Sequence, residues 1–379
     1  MLNSPDQILI LRPGAVGDTL LTFPAIIALR RRFPKARIQV IGNRAALAIG
    51  AATGIVDQYD AFGADWVSDL FGDVPTPAVR ERLASVDLGV VWMHAAEAAQ
   101  DLAFRLERSG VRHAVPLVSF PPTGSRRHVA DHLVATLVPL GIPASRPEVP
   151  LRTDAPPGHD WPNAAHAVVP VREDDDARQI ADSADGVFHR AYESERKNQQ
   201  TNGEEIFEPF VVLHPGAGGR RKRWSPQGFA ALADRLTGLG FATAITSGPA
   251  DEDAVRAVLA DLRLARPRIL AGLPLDRLAR VIAHAALFVG NDSGITHLAA
   301  MLDVPTVAIF GPFDPAYWAP LGAQVAVVDA GRSCPHRDDP RDGCRACDLL
   351  SPLEVETVWD AAQALIPHKS AIMHGASSS

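Results

Sequence analysis

Short apolar runs alternate with stretches of helical period along most of this chain. Residues 7–12 form a run of the kind that is buried on both faces of a sheet, and residues 19–33 place Leu20, Leu21, Ile26, Ile27 and Leu29 on one helical face. Pro24 falls inside that helix and predicts a kink or a broken start. Further strands are predicted at 37–41, 88–92 and 114–118, and helices at about 97–108 and 128–140. From about 152 to 208 the periodicity decays into polar sequence, which reads as an interdomain connection carrying an insertion, partly disordered. The pattern resumes with strands at 211–213, 242–246, 269–270, 287–290, 306–310 and 325–328. Between them lie helices starting near Pro226, Asp251, Leu275 and Ile295, and a last helix covers about 352–366. Alternation of this kind builds parallel sheets, so the fold class is α/β.

At 379 residues the chain is long enough for two such domains, each with its own core. A hydrophobic content of 47% with 21% charged residues is ordinary for a globular protein. The net charge of −7 argues against a nucleic-acid partner, whose electrostatic footprint would be basic. No apolar run approaches the roughly 18 residues of a membrane span, and the first residues lack a signal-like pattern, so a cytoplasmic location is expected. All three cysteines lie within residues 334–347, which is no disulfide framework.

Candidate chemistry sits at the turns that follow the strands. In LFVGNDSGITHLAAMLDVPTVAIFGPFDP, residues 287–315, a strand meets a polar turn, a helix and a second strand. Ligands of open α/β sheets bind at such a turn, where a helix N-terminus offers unpaired N–H groups to an anion. Asp292 or Ser293 caps that helix and Gly294 permits close approach of a ligand, with Thr296 and His297 in the first helical turn. The first strand runs into PGAVGD, whose spacing is neither G-x-G-x-x-G nor a P-loop. A second glycine turn, from His214 through Gly216, leads into the basic run Arg220, Arg221, Lys222 and Arg223, an arrangement suited to a diphosphate. Ser225 and Pro226 then open a helix as N-cap and first residue. Arg126, Arg127 and His128 read as a solvated helix start. Asp174 to Asp176 match a D-x-D metal pattern, but the charged, apolar-poor stretch around them offers no strand end to hold a site.

Three segments, RPGAVGDTLLTFPAIIALRRRFP, VVLHPGAGGRRKRWSPQGFAAL and FVGNDSGITHLAAMLDVPTVAIFGPFDP, together resemble glycosyltransferase family 9, the ADP-heptose:lipopolysaccharide heptosyltransferases. The resemblance spans both predicted domains and breaks down over about 152–208. It implies a GT-B fold, two Rossmann-like domains facing across a cleft. The implied division is an acceptor domain at 1–155, a connection at 156–208, a nucleotide-sugar domain at 209–350 and a helix at 351–366 that crosses back to the first domain. The implied reaction is inverting and metal-independent transfer of heptose from an ADP-heptose donor to a lipid-linked lipopolysaccharide core acceptor, at or near the cytoplasmic face of the inner membrane. Asp18 matches the family's catalytic base, in a reaction where an acceptor hydroxyl must lose its proton. Lys222 matches the phosphate-binding lysine that answers the leaving group's charge. Asp292, Ser293, Gly294, Thr296 and His297 match the donor-binding helix start, and His214 and Gly216 are placed on the same donor side. No cofactor is implied and no acceptor residue is singled out.

Other nucleotide sugars, another surface glycan, or a binding protein without turnover remain alternatives, whereas the missing G-x-G-x-x-G turn weakens a dehydrogenase. Cys334, His336, Cys344 and Cys347 have the residue types of a four-ligand zinc or iron site, but the gap from Cys334 to Cys344 is loose. Reduced, buried cysteines are the commoner outcome, and no metal is assigned.

Overall fold

The structure, a computed structural model, describes residues 4–72, 74–149, 151, 168–170, 209–337 and 339–366. The acidic run at Asp174 to Asp176 and nearly all of the polar connection lie outside these residues.

Five parallel strands form the N-terminal sheet: β1 (Gln7–Leu11), β2 (Arg37–Gly42), β3 (Gln58–Ala61), β4 (Leu88–Met93) and β5 (His113–Val118). Their order is β3-β2-β1-β4-β5. Ile8, Leu9, Ile10 and Leu11 of β1 are all buried, as a central strand covered on both faces requires. The chain leaves β1 in one direction and returns on its other side at β4, so a crevice opens between the carboxyl ends of these two strands. The first predicted helix is two, Val16–Leu20 and Phe23–Arg32, with Pro24 in the opening turn of the second. There a missing N–H costs nothing, because the first helical N–H groups have no partner within the helix. The predicted helix at 128–140 stops at Ala135 and continues only as a tight turn, Val138–Leu140, because Pro139 cannot extend the helical hydrogen bonding. The elements Arg44–Ala52, β3 and Pro77–Leu83 fall where the sequence analysis placed none.

The C-terminal sheet contains β6 (Val168–Pro170), β7 (Phe210–His214), β8 (Ala242–Ser247), β9 (Arg268–Ala271), β10 (Leu287–Asn291), β11 (Thr306–Phe310) and β12 (Val325–Asp329). Their order is β12-β11-β10-β7-β8-β9-β6, parallel except for β6, which runs antiparallel to β9. The segment read as connection therefore lends one edge strand to this sheet. Its crevice lies between β7 and β10, beyond His214 and Asn291.

The last helix, Val355–Leu365, departs from expectation. Val358 and Ala362 are buried with Val307, Ile309 and Val328 of the C-terminal sheet and with Phe229 and Leu236 of the helix Pro226–Gly238. Trp224 Nε1 donates to Leu353 O at 3.0 Å just ahead of it. The helix thus covers the C-terminal sheet instead of crossing to the first domain. The two domains meet elsewhere, along an apolar seam in which the helices Val16–Leu20 and Gly294–Met301 pack on each other, as do Arg44–Ala52 and Leu275–Ile282.

Candidate active site

On the N-terminal side, Asp18 sits within the short helix Val16–Leu20 that follows β1, not at its N-cap. Its Oδ2 reaches back to accept from Ala15 N at 3.0 Å, and its Oδ1 accepts from Arg12 Nη2 at 3.1 Å. Gly14 is a glycine for this reason, since a Cβ there would stand 2.6 Å from Asp18 Cβ. Asp18 keeps 20% of its side-chain area exposed while Arg12 keeps 1%. Arg12 also donates to Pro13 O at 2.5 Å and lies over the Phe120 ring, and burial lowers its pKa while Asp18 holds it up. The carboxylate is thereby oriented by one cation and one N–H, with a face left for a substrate. His94, just after β4, packs against Phe120 with ring centroids 4.6 Å apart and the planes tilted by 53°. Its pKa is lowered by burial and by Arg12, with Asp18 opposing, so it shares the crevice as a neutral imidazole.

On the C-terminal side, Ser293 caps the helix Gly294–Met301, its Oγ accepting from Thr296 N at 3.3 Å. Thr296 Oγ1 donates to Asn291 O at 2.5 Å. Asn291 is fully buried and ties three turns together. Its Oδ1 accepts from Trp224 N at 2.9 Å, and its Nδ2 donates to Pro215 O and Gly216 O at 2.9 and 3.3 Å. Lys222 Nζ lies 2.7 Å from Asp292 Oδ2 and 4.7 Å from the centre of the Phe313 ring. The rest of the basic run is spent elsewhere. Arg220 pairs with Asp253 at the surface, Arg223 binds Asp253 and Ala250 O, and Arg221 donates to Cys344 O at 2.6 Å. Lys222 alone points to the helix start, beside Asp292.

Several expected contacts take a different form. His214 is buried and shares its Nδ1 with Thr246 Oγ1 at 2.7 Å; burial drives its pKa down to about 4, with Asp251 opposing. A Cβ on Gly216 would run into the carboxylate of Asp251, so that glycine makes room for a side chain of this chain. A Cβ on Gly294 would stand 2.6 Å from Val16 Cβ and 2.9 Å from Gly17 N, so the close approach it permits is that of the opposite domain. His297 lies in the same seam, 3.1 Å from where a Gly17 Cβ would be. Burial pushes its pKa down to about 3, with His128, were it protonated, and Lys222 lowering it further and Asp18 opposing. Its Nδ1 is buried without a partner among the described residues.

The basic cluster at 126–128 is not a free helix start. His128 Nδ1 accepts from Ala130 N at 3.2 Å, which makes Nε2 the donor to Ala319 O, across the seam, at 2.9 Å. Arg126 N donates to Tyr317 Oη at 3.1 Å. Arg12 and His94, absent from the sequence reading, each follow a strand at the crevice mouth, and an arginine before a glycine turn was the one available signal.

Two α/β domains meeting at the carboxyl ends of their strands, with a carboxylate on one side and a lysine at a helix N-terminus on the other, have the GT-B arrangement. The same fold is seen in the family 9 glycosyl transferase of Veillonella parvula, with a TM-score of 0.68 at 19% identity over 97% of this chain and 98% of that one. It is seen again in the E. coli ADP-heptose LPS heptosyltransferase II, with a TM-score of 0.61 at 22% identity over 95% and 98%. In sequence, residues 176–344 match glycosyltransferase family 9 (heptosyltransferase). Lipopolysaccharide heptosyltransferase 3 of Escherichia coli is 25% identical over 93% of this chain and 96% of its own length. The chain is thus similar to glycosyltransferase family 9 in its C-terminal half and to a lipopolysaccharide heptosyltransferase along most of its length.

Proposed function

We propose that the protein transfers heptose from ADP-heptose to a lipopolysaccharide core acceptor by a single displacement that inverts the anomeric carbon. The observation carrying this reading is the contact between the helix Val16–Leu20 and the helix start at Gly294, which brings the turns of Asp18 and Lys222 to one crevice. Asp18 accepts the proton of the acceptor hydroxyl as its oxygen attacks the anomeric carbon. The bond from that carbon to the diphosphate breaks, and ADP leaves with the electron pair. Lys222 and the N–H groups at the start of Gly294–Met301 meet the charge that develops on the phosphate oxygens. Asp292 holds Lys222 in place before the donor arrives. His297, neutral and buried behind both groups, fixes the domain seam. These protein donors serve where other transferases use a divalent ion, so the displacement proceeds without a metal in the diphosphate site.

The acceptor is lipid-linked, and the reaction is assigned to the cytoplasmic face of the inner membrane. No helix among the described residues is long and apolar enough to cross a membrane. Mass spectrometry of products from a panel of nucleotide sugars and truncated lipopolysaccharide acceptors tests the reading. A heptosylated core of inverted anomeric configuration is expected. Preferred turnover of another sugar would replace the donor, and binding without any turnover would make the protein a nucleotide-sugar binder.

A further inference from the structure

The loop between β12 and the last helix folds with very little apolar support. Among its described residues from 331 to 350, the buried apolar side chains are Cys344 and Leu350, apart from Pro340. Yet it brings together four groups that the sequence spaces loosely. The sulfurs of Cys334, Cys344 and Cys347 and a ring nitrogen of His336 all lie within 4.8 Å of one another. Cys334 Sγ is 3.9 Å from Cys347 Sγ, and Cys347 Sγ is 3.8 Å from His336 Nδ1.

These edges have a specific meaning. A disulfide requires sulfurs ~2.05 Å apart, which the Cys334–Cys347 separation excludes. A tetrahedral ion with metal–sulfur bonds of ~2.3 Å has sulfur–sulfur edges of ~3.8 Å, and its nitrogen–sulfur edges are slightly shorter. Three thiols and one imidazole therefore stand close to the corners of such a tetrahedron. Soft sulfur with nitrogen in that geometry selects zinc or iron among the common biological metals.

We propose that Cys334, His336, Cys344 and Cys347 bind one Zn²⁺ or Fe²⁺ ion as three thiolates and a neutral imidazole. Binding releases the three thiol protons to solvent. All four positions are filled by protein, so the ion is structural and holds no place for substrate. What it holds is the wall of the donor site. Cys344 N donates to Pro312 O at 2.7 Å, Arg221 donates to Cys344 O, and Trp318 Nε1 donates to Pro340 O at 2.9 Å. Arg337, within the same loop, grips Asp329 at 2.6 and 2.9 Å and the carbonyl of Gly311 at 2.9 Å. Phe313, in the segment so clamped, is the ring over which Lys222 lies. The cluster thus fixes, through the chain, the position of the lysine that faces the donor.

The test uses the full chain, purified without a metal-chelating step. Elemental analysis is expected to find about one zinc or iron per chain, and it identifies which. Apoprotein prepared by chelation should take up one equivalent of Co²⁺ and develop thiolate charge-transfer and tetrahedral ligand-field bands. Cys344→Ser should lose the metal. Because Cys344 is buried and its loss could unfold the loop, His336→Ala at an exposed position is the companion variant. It should keep the far-ultraviolet circular dichroism of the parent and bind cobalt more weakly, with altered bands. Absence of stoichiometric metal together with no cobalt uptake would overturn the proposal. So would full metal content in a Cys334→Ser, Cys347→Ser double variant, or a native disulfide between those two cysteines.

Discussion

Gly294 offers the sharpest test of how the two halves of the site are joined. Its missing side chain faces Val16 and Gly17 of the other domain, and a Cβ would lie 2.6 Å from Val16 Cβ, 2.8 Å from Val16 Cγ1 and 2.9 Å from Gly17 N. Ordinary carbon contacts lie at ~3.5–4.0 Å, so Gly294→Ala must open the seam by about 1 Å. Over-packing of this size costs ~1–3 kcal/mol. At 1.36 kcal/mol per decade the assembled site is then depleted by roughly 5- to 150-fold. That loss should appear in kcat/KM for transfer, with ADP binding to the C-terminal turns measured by calorimetry changing far less. Val16→Gly removes the two closest atoms and leaves the Gly17 backbone contact, so the double variant should recover part of the loss. The recovery is a coupling energy between residues of opposite domains. If Gly294→Ala instead abolishes ADP binding and Val16→Gly restores nothing, the glycine faces the diphosphate directly and the seam argument fails.

Asp18→Asn keeps the size of the side chain while removing the base, and should lower kcat by ~10²–10⁴ with donor affinity near normal; unchanged turnover would take Asp18 out of the mechanism. Lys222→Ala should weaken donor binding or turnover far more than Arg220→Ala, because the Arg220 side chain is 86% exposed and pairs only with Asp253 among the described residues. Equal effects in steady-state kinetics would mean a diffuse field in place of a positioned lysine. His214 and His297 are held near pKa values of about 4 and about 3, below the ~6.5 of an unfolded histidine. The unfolded chain therefore binds more protons between those limits, and the stability they contribute is complete above pH ~6.5 and lost as the pH falls, by up to ~1.4 kcal/mol per pH unit for each. Urea unfolding at pH 5 and pH 7.5 should show that slope, and His297→Gln should flatten it measurably; an unaltered slope refutes the assignment. Activity followed together with circular dichroism and metal content after EDTA treatment checks the metal-free displacement. Full loss with the fold and the cysteine-bound ion intact, reversed by Mg²⁺ or Mn²⁺, would place a catalytic cation at the phosphates.

The sequence by itself determined the elements and the turns that carry the chemistry. Apolar runs such as residues 306–310 become buried parallel strands because every face of them must be covered. Ser225 and Pro226 open their helix as read, since capping depends on neighbours three residues apart. Local rules also placed the break near Pro24. What pairwise neighbours do not encode was decided by the tertiary structure. The four basic residues at 220–223 are alike in sequence, and only the fold sends one to Asp292, two to Asp253 and one to the cysteine loop. Arg12 reads as the end of an apolar strand until burial beside Asp18 makes it that carboxylate's partner. The glycines at 216 and 294 signal close approach in sequence, but the approaching groups, the Asp251 carboxylate and the Val16 side chain, come from distant parts of the chain. Likewise the spacing of Cys334, His336, Cys344 and Cys347 carries no geometry, because a loop with so few buried apolar side chains has no period to read. Its shape rests on contacts with Pro312, Arg221 and Asp329, residues that only the fold brings beside it.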